Sequence, residues 1–371
     1  MKKALFATIL LIIAGSAPYT NAKPSFEQAS DHCYFLNMEV NGENIAVVST
    51  GQGTLLFDPP PEPDLSVLLE NLRSLTGGPV RWMVNTGYYP FRTAGLDYFA
   101  RQGTILLSGF RQRELDVPEP EYTDEPSKPL DSPDAAPGFS EYYDPNVVTI
   151  MFPKQDEDDM EDPDIADEKI PAFPEFIFKK RMYLFPDDVE IEIHALPHEA
   201  RTGADIFAYV PDEKVLFVGR LFEPGYYPDI DTSTGGSALK WIDALEQVID
   251  SVPLLISAIP PEDPEDKKGL EEGGAAGVEE EEEKTLEEMI TVIPARGEVT
   301  NLQAMKDMLN TSKKLLNGIS RTVKAGRSCE RYLDSGGAAA YRVYGNFYPY
   351  AEQLCRELAP EEEEEPESRS Q

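Results

Sequence analysis

The sequence predicts an α/β protein in which two mixed sheets are covered by helices, interrupted by two acidic low-complexity insertions. Three observations predict it. Short apolar strands alternate with helix-spaced segments, and the order antiparallel strands, helix, strand, helix occurs twice. The last third of the chain is helical in pattern. The formal net charge of −35 over 371 residues is concentrated in three pieces. Residues 112–172 hold 19 acids against 4 bases, residues 261–288 hold 13 against 3, and the segment from Pro360 holds 6 against 1. The remainder is nearly neutral, so an ordinary globular core with acidic attachments is expected. Nothing in this charge balance supports nucleic-acid binding, since phosphate contacts need an extended basic surface.

Taken in order, Cys33–Val40 and Asn44–Thr50 read as strands of a hairpin turning at Asn41-Gly42. Thr54–Asp58 is a third strand, stopped by three prolines. Asp64 is positioned to cap a helix over Leu65–Leu75, whose leucines follow helical spacing. Strand Val80–Val84 leads through V-N-T-G-Y-Y-P-F-R-T-A-G to a helix-like segment, Thr93–Arg101, and then to strand Thr104–Leu107. Residues 112–172 are too long and polar for a loop and are expected to be disordered or surface-wrapping, with one apolar island at Val147–Phe152. Strands return at Glu175–Phe178, Met182–Phe185 and Val189–Ala195, followed by a hairpin of Ile206–Val210 and Val215–Val218. A helix over Gly236–Ile249, a strand over Leu254–Ile259 and a second acidic insertion (residues 260–288) precede strand Ile290–Ile293. Helices are expected over Asn301–Val323, Cys329–Ser335 and Pro349–Leu358, then an acidic disordered tail over 360–371.

Residues 1–22 have the make-up of a signal peptide. Lys2 and Lys3 precede an apolar run from Ala4 to Ala14, too short for a comfortable bilayer span, and cleavage is expected after Ala22. The mature domain would then cover 23–359 and be periplasmic or secreted from a bacterium, with no stable membrane span. Of the three cysteines, Cys329 and Cys355 lie on two helical segments and could bridge, leaving Cys33 as a buried thiol. Spacing alone leaves the connectivity open.

Four stretches carry a family resemblance. The loop N-T-G-Y-Y-P-F-R-T-A-G resembles the Asn-Thr-His-x-His-x-Asp-His-Thr-Gly-Gly loop of the metallo-β-lactamase-fold hydrolases. A-R-T-G-A-D-I-F-A-Y-V-P is similar to that family's second ligand loop. K-V-L-F-V-G-R-L-F is similar to the strand whose final Asp bridges two metals. V-I-P-A-R-G-E-V resembles the segment carrying the last ligand. The strand T-L-L-F-D also matches a family strand that ends in a structural Asp, here Asp58. The resemblance covers most of Cys33–Leu358 and implies a four-layer αββα sandwich. The family's activity is hydrolysis by a metal-generated hydroxide.

The ligand positions depart from the family. They fall on Gly87, Tyr89, Phe91 and Arg92 in the first loop, then on Arg201, Arg220 and Arg296. An arginine keeps its proton and offers no lone pair, so it cannot bind a cation. No metal, cofactor or catalytic residue is therefore expected. His32, His194 and His198 are the only histidines, and none has partners at ligand spacing. The resemblance implies that Arg92, Arg201, Arg220 and Arg296 meet at one end of the sandwich. Three readings stay open there, one of them that the guanidiniums splay into solvent and carry no role. Carboxylates such as Asp58, Glu199 and Asp205 could pair with the guanidiniums as an internal network, or a small anion or an acidic group on a protein partner could fill the place of the metals. Tyr88, Tyr89, Phe91, Tyr226 and Tyr227 would form an aromatic rim. The function expected is that of a pseudoenzyme that binds. Its rival is a hydrolase of the same fold with a relocated or non-metal active site.

Overall fold

The computed structural model describes residues 25–38, 42–60, 65–75, 78–87, 93–112, 147–150, 174, 176–197, 199–257 and 285–359. Residues 1–24, Val40, Asn41, Asp64 and most of both acidic insertions lie outside them, as do residues 360–371. Among the described residues the strands are β1 (Phe26–Gln28), β2 (Cys33–Met38), β3 (Glu43–Thr50), β4 (Gly53–Phe57), β5 (Val80–Val84), β6 (Ile105–Gly109), β7 (Val147–Ile150), β8 (Phe176–Phe178), β9 (Arg181–Leu184), β10 (Ile191–Ala195), β11 (Ile206–Val210), β12 (Val215–Gly219), β13 (Thr291–Pro294) and β14 (Thr300–Asn301). The α-helices are α1 (Leu65–Leu72), α2 (Thr93–Arg101), α3 (Ala238–Ser257), α4 (Leu286–Met289), α5 (Leu302–Lys324), α6 (Cys329–Asp334) and α7 (Phe347–Leu358).

The strands form two sheets, in the orders β1-β2-β3-β4-β5-β6-β8 and β14-β13-β12-β11-β10-β9-β7. Both are mixed. The first is antiparallel through β4 and parallel from β4 to β8. In the second, β12 runs parallel to β13 and β7 parallel to β9.

Period-two alternation sends each strand's side chains to two different cores. In β3, Ile45 and Val47 join the cluster under α1 and α2, while Ala46 and Val48 join the inter-sheet cluster. In β12, Leu216 and Val218 face the helical layer of α3, α5 and α7, while Val215 and Phe217 face the other sheet. Phe57 and Phe217 stack across the sandwich at 4.5 Å between centroids. Strands buried on both faces explain the near-continuous apolar runs of β3, β4, β11 and β12. The result is a four-layer αββα sandwich. Among the described residues, no helix is long and apolar enough to cross a membrane.

Three details differ from the sequence expectation. Leu254–Ser257 is the last turn of α3 rather than the start of a strand. A short continuous apolar run has no period of its own, so it extends whichever element precedes it. The island in the first insertion is β7, an added strand on the edge of the second sheet. The end of the second insertion forms α4, capped by a reciprocal Thr285–Glu288 box.

The two sheets are also latched at one corner. Glu213, in the β11–β12 turn, accepts from the His32 amide at 3.0 Å, faces His32 Nδ1 at 2.6 Å and accepts from the Ser30 hydroxyl. Burial opposes its charge, but these bonds hold its carboxyl below the usual range. Beneath it, burial and the Glu213 charge push the Cys33 thiol up.

The other two cysteines, Cys329 and Cys355, form a disulfide with a Cα–Cα distance of 6.1 Å, fastening α6 to α7. Because it closes a loop with a separation of 26 residues, Cys329→Ser/Cys355→Ser should lose about 3–4 kcal/mol. Denaturant unfolding of the double variant measures this.

Candidate functional site

The four motif loops are built at the same end of the sandwich, and Thr86 is where they are tied. Asp58, at the end of β4, adopts a left-handed φ of 52°. Its Oδ1 accepts the Thr86 amide at 2.8 Å and its Oδ2 accepts the Thr86 hydroxyl at 2.5 Å. The Thr86 carbonyl accepts from Ile206 of the second motif at 2.9 Å. Gly219 of the third motif has φ +55° and lies so close that a Cβ there would overlap the Thr86 hydroxyl. The Gly219 carbonyl accepts from Ala295 of the fourth motif at 2.7 Å.

Asn44 completes the ring. Its side-chain amide donates to the carbonyls of Pro294 and Gly297 at 2.9 and 2.7 Å. The space enclosed by Asn44, Asp58, Thr86, Gly219 and Ala295 is about 10 Å³, room for one water at most.

Onto this ring the loops present Gly87, Arg201, Arg220 and Arg296. Gly87 is buried, and its carbonyl accepts from Gln112 at 3.3 Å. Arg201 is buried, Arg220 half-buried, and the Arg296 side chain 47% exposed. Arg296 pairs with Glu223 at 3.3 Å, and its backbone bridges to Glu43. Tyr89, Phe91 and Arg92, with Tyr88 and His198, lie outside the described residues.

A pair of metal ions does not fit this set. Glycine has no side chain, and guanidiniums only donate hydrogen bonds. Among the described residues no group of three His, Cys, Asp or Glu side chains is placed to hold a metal. His194 stacks on Phe207 and pairs with Glu192 at 2.9 Å, while His32 serves the Glu213 latch.

The three candidate pairing acids have separate roles. Asp58 is buried and holds Thr86. Glu199 bonds Lys240 at 2.6 Å and Arg111 at 3.2 Å, cations outside the four motif positions. The Lys240 bond, followed by weaker contributions that include Arg111, brings its carboxyl down to about 2. Asp205 is the acid that stands beside a motif arginine. Burial pushes its carboxyl up to about 6, against the pull of the Thr202 amide at 2.6 Å and of the Arg201 charge.

The two tyrosines after Arg220 also separate. Tyr226 is 51% exposed, but Tyr227 is 1% exposed and belongs to the helical core, not to a rim. Its ring stacks on Tyr350 at 4.8 Å and its hydroxyl donates to the Tyr341 carbonyl at 2.9 Å. Two residues essential to the frame, Thr86 and Asn44, had no distinguishing signal beyond their place in or near the motifs.

No protein-family model and no curated protein matches the sequence. Solved structures do resemble it in fold. The chain is similar to a metallo-β-lactamase from Pontibacter korlensis, with 13% identity and a TM-score of 0.48 over 78% of this chain and 99% of that one. It is similar to the DIM-1 metallo-β-lactamase, with 12% identity and a TM-score of 0.47 over 79% and 98%. A third is FIM-1 from Pseudomonas aeruginosa in its mono-zinc form, with 12% identity and a TM-score of 0.46 over 79% and 96%. The two mixed sheets between helical layers, with the four motif loops gathered around Thr86, form the four-layer αββα sandwich that the resemblance implies.

Proposed function

We propose that this chain is an exported, non-catalytic member of the metallo-β-lactamase fold that binds an anionic group, from a small anion or a protein partner, at the former metal site. The observation that carries the reading is the replacement of ligands by arginines on loops that Thr86 still holds together. Arg201, Arg220 and Arg296 would present donors where the family presents ligands, which reverses the charge such a site attracts. Arg92 would add a fourth guanidinium, and exposed Tyr226 would add an aromatic ring. Export is supported by the signal-like segment at residues 1–22 and by the Cys329–Cys355 disulfide, which suits an oxidising compartment.

The test is anion-dependent stability at constant ionic strength. Phosphate or sulfate at about ten times Kd adds about 1.4 kcal/mol, a rise in melting temperature of about 2–4 °C, whereas chloride adds none. Arg296→Ala, at an exposed position, should remove at least half of that gain while folding normally. An equal gain in the variant, or none in the parent, contradicts the reading.

A further inference from the structure

The helical layer carries a basic face at the end of α5 and the start of α6. Arg321 and Lys324 lie in the last turn of α5, Arg327 in the turn that follows and Arg331 on α6. All four are exposed. Two of them complement the negative end of the α5 dipole, but that explains neither Arg327 nor Arg331. Of the three lysines earlier on α5, Lys306 pairs with Glu287 and Lys313 with Glu246, while exposed Lys314 lies about two turns before the C-terminal cluster. None of these four cations is in an ion pair with a described acid. Glu330 and Asp334 are the acids nearest in sequence, so the stretch from Arg321 to Arg331 keeps a positive balance.

The local fold fixes these cations in one place. Gly326 takes φ +65° and the Arg327 amide donates to the Thr322 carbonyl at 3.1 Å, closing α5 in a tight C-terminal turn. The side chain of Tyr332 packs on α5 at Gly318 and feels the charge of Arg321, which brings α6 alongside the end of α5.

The disulfide sets what lies next to this face. Cys329 is flanked by Arg327 and Arg331, two residues away on either side. Its partner Cys355 sits in the last turn of α7, with the Cα atoms 6.1 Å apart. Exposed Arg356 follows Cys355 directly. Residues Glu361–Glu365 are an unbroken run of five glutamates beginning three positions after α7 ends at Leu358. An extended chain covers about 3.3–3.6 Å per residue, so this run starts within about 10 Å of the end of α7.

We propose that the acidic segment 360–371 docks on the basic face formed by Arg321, Lys324, Arg327 and Arg331. The cross-link fixes the point of departure beside the cations, and the short tether gives an effective concentration in the millimolar range. A separate polyanion would have to approach a chain of net charge −35, whereas the tethered run is already there.

The test is zero-length carbodiimide cross-linking of the full chain, read by peptide mass spectrometry. Lys324 is the amine in the face, and Lys306–Glu287, at 2.5 Å, is a built-in positive control. The expected result is a Lys324 cross-link to Glu361–Glu365 within one molecule, independent of protein concentration. It should fall severalfold in about 0.5 M salt, where screening is short-ranged, and severalfold again in Arg327→Glu/Arg331→Glu. Cross-linking at Lys306 without any at Lys324 overturns the proposal. So does a Lys324 link that rises with protein concentration, which marks contact between chains, or one that the double variant leaves unchanged.

Discussion

Gly219→Ala should destabilise the protein by about 2–5 kcal/mol. Two costs combine. An alanine at φ +55° costs about 1–2 kcal/mol in the left-handed region. Its Cβ would also overlap the Thr86 hydroxyl, and forcing atoms into a packed interior costs about 1–3 kcal/mol more. Thr86 cannot retreat cheaply, because its amide and hydroxyl are both bonded to buried Asp58. The loss should therefore spread to all four loops. Denaturant midpoints with an unchanged slope would report it. A loss below about 1 kcal/mol would mean that the Asp58–Thr86–Gly219 junction is not what holds the frame.

Asp205 should impose a stability penalty that grows with pH. Its folded carboxyl is raised to about 6 from the ordinary 3.8, so between those values the native state holds a proton that the unfolded state has released. Stability from this group falls as pH rises from about 4 to about 6 and is flat above. The size is on the order of 3 kcal/mol. Asp205→Asn keeps an oxygen for the Thr202 amide but cannot ionise. Relative to the parent, the variant should therefore gain on the order of 3 kcal/mol between pH 4 and pH 7. Measuring the difference between the two chains removes the contribution of groups such as Glu199, whose depressed carboxyl acts in the opposite sense below pH 4. A difference that does not vary with pH would show that the Arg201 charge fully offsets the burial of Asp205.

Much of the fold was legible because burial on two faces leaves a plain record. The strands Val80–Val84, Ile206–Val210 and Val215–Gly219, and helix α2, lie where the apolar runs and the helix pattern put them. The end of α3 was not, because Leu254-Leu255-Ile256 has no period to separate strand from helix. Strand β7 was read only as an apolar island, since an edge strand in acidic surroundings is decided by its partner β9 rather than by its own composition.

The site shows the same division. Position in the motifs put Arg201 in the loop before β11, Arg220 directly after β12 and Arg296 two residues past β13, and it identified Asp58 as structural. Pairing was less legible. Glu199 lies two residues from Arg201 in sequence yet reaches across to Lys240 and Arg111. Tyr227 adjoins an exposed Tyr226 but points the other way, into the helical core. Neighbours along a loop alternate direction, and only the fold decides which one faces the site.

The central claim is that the frame persists with its ligand preference changed from cations to anions. The most direct measurement is the metal content of the purified mature protein after equilibration with zinc and dialysis, by elemental mass spectrometry. Glycine and arginine at the ligand positions predict roughly less than a tenth of a zinc ion per chain. Stoichiometric zinc or iron, at about one or two ions per chain, would contradict the account and restore the case for a hydrolase with a relocated site.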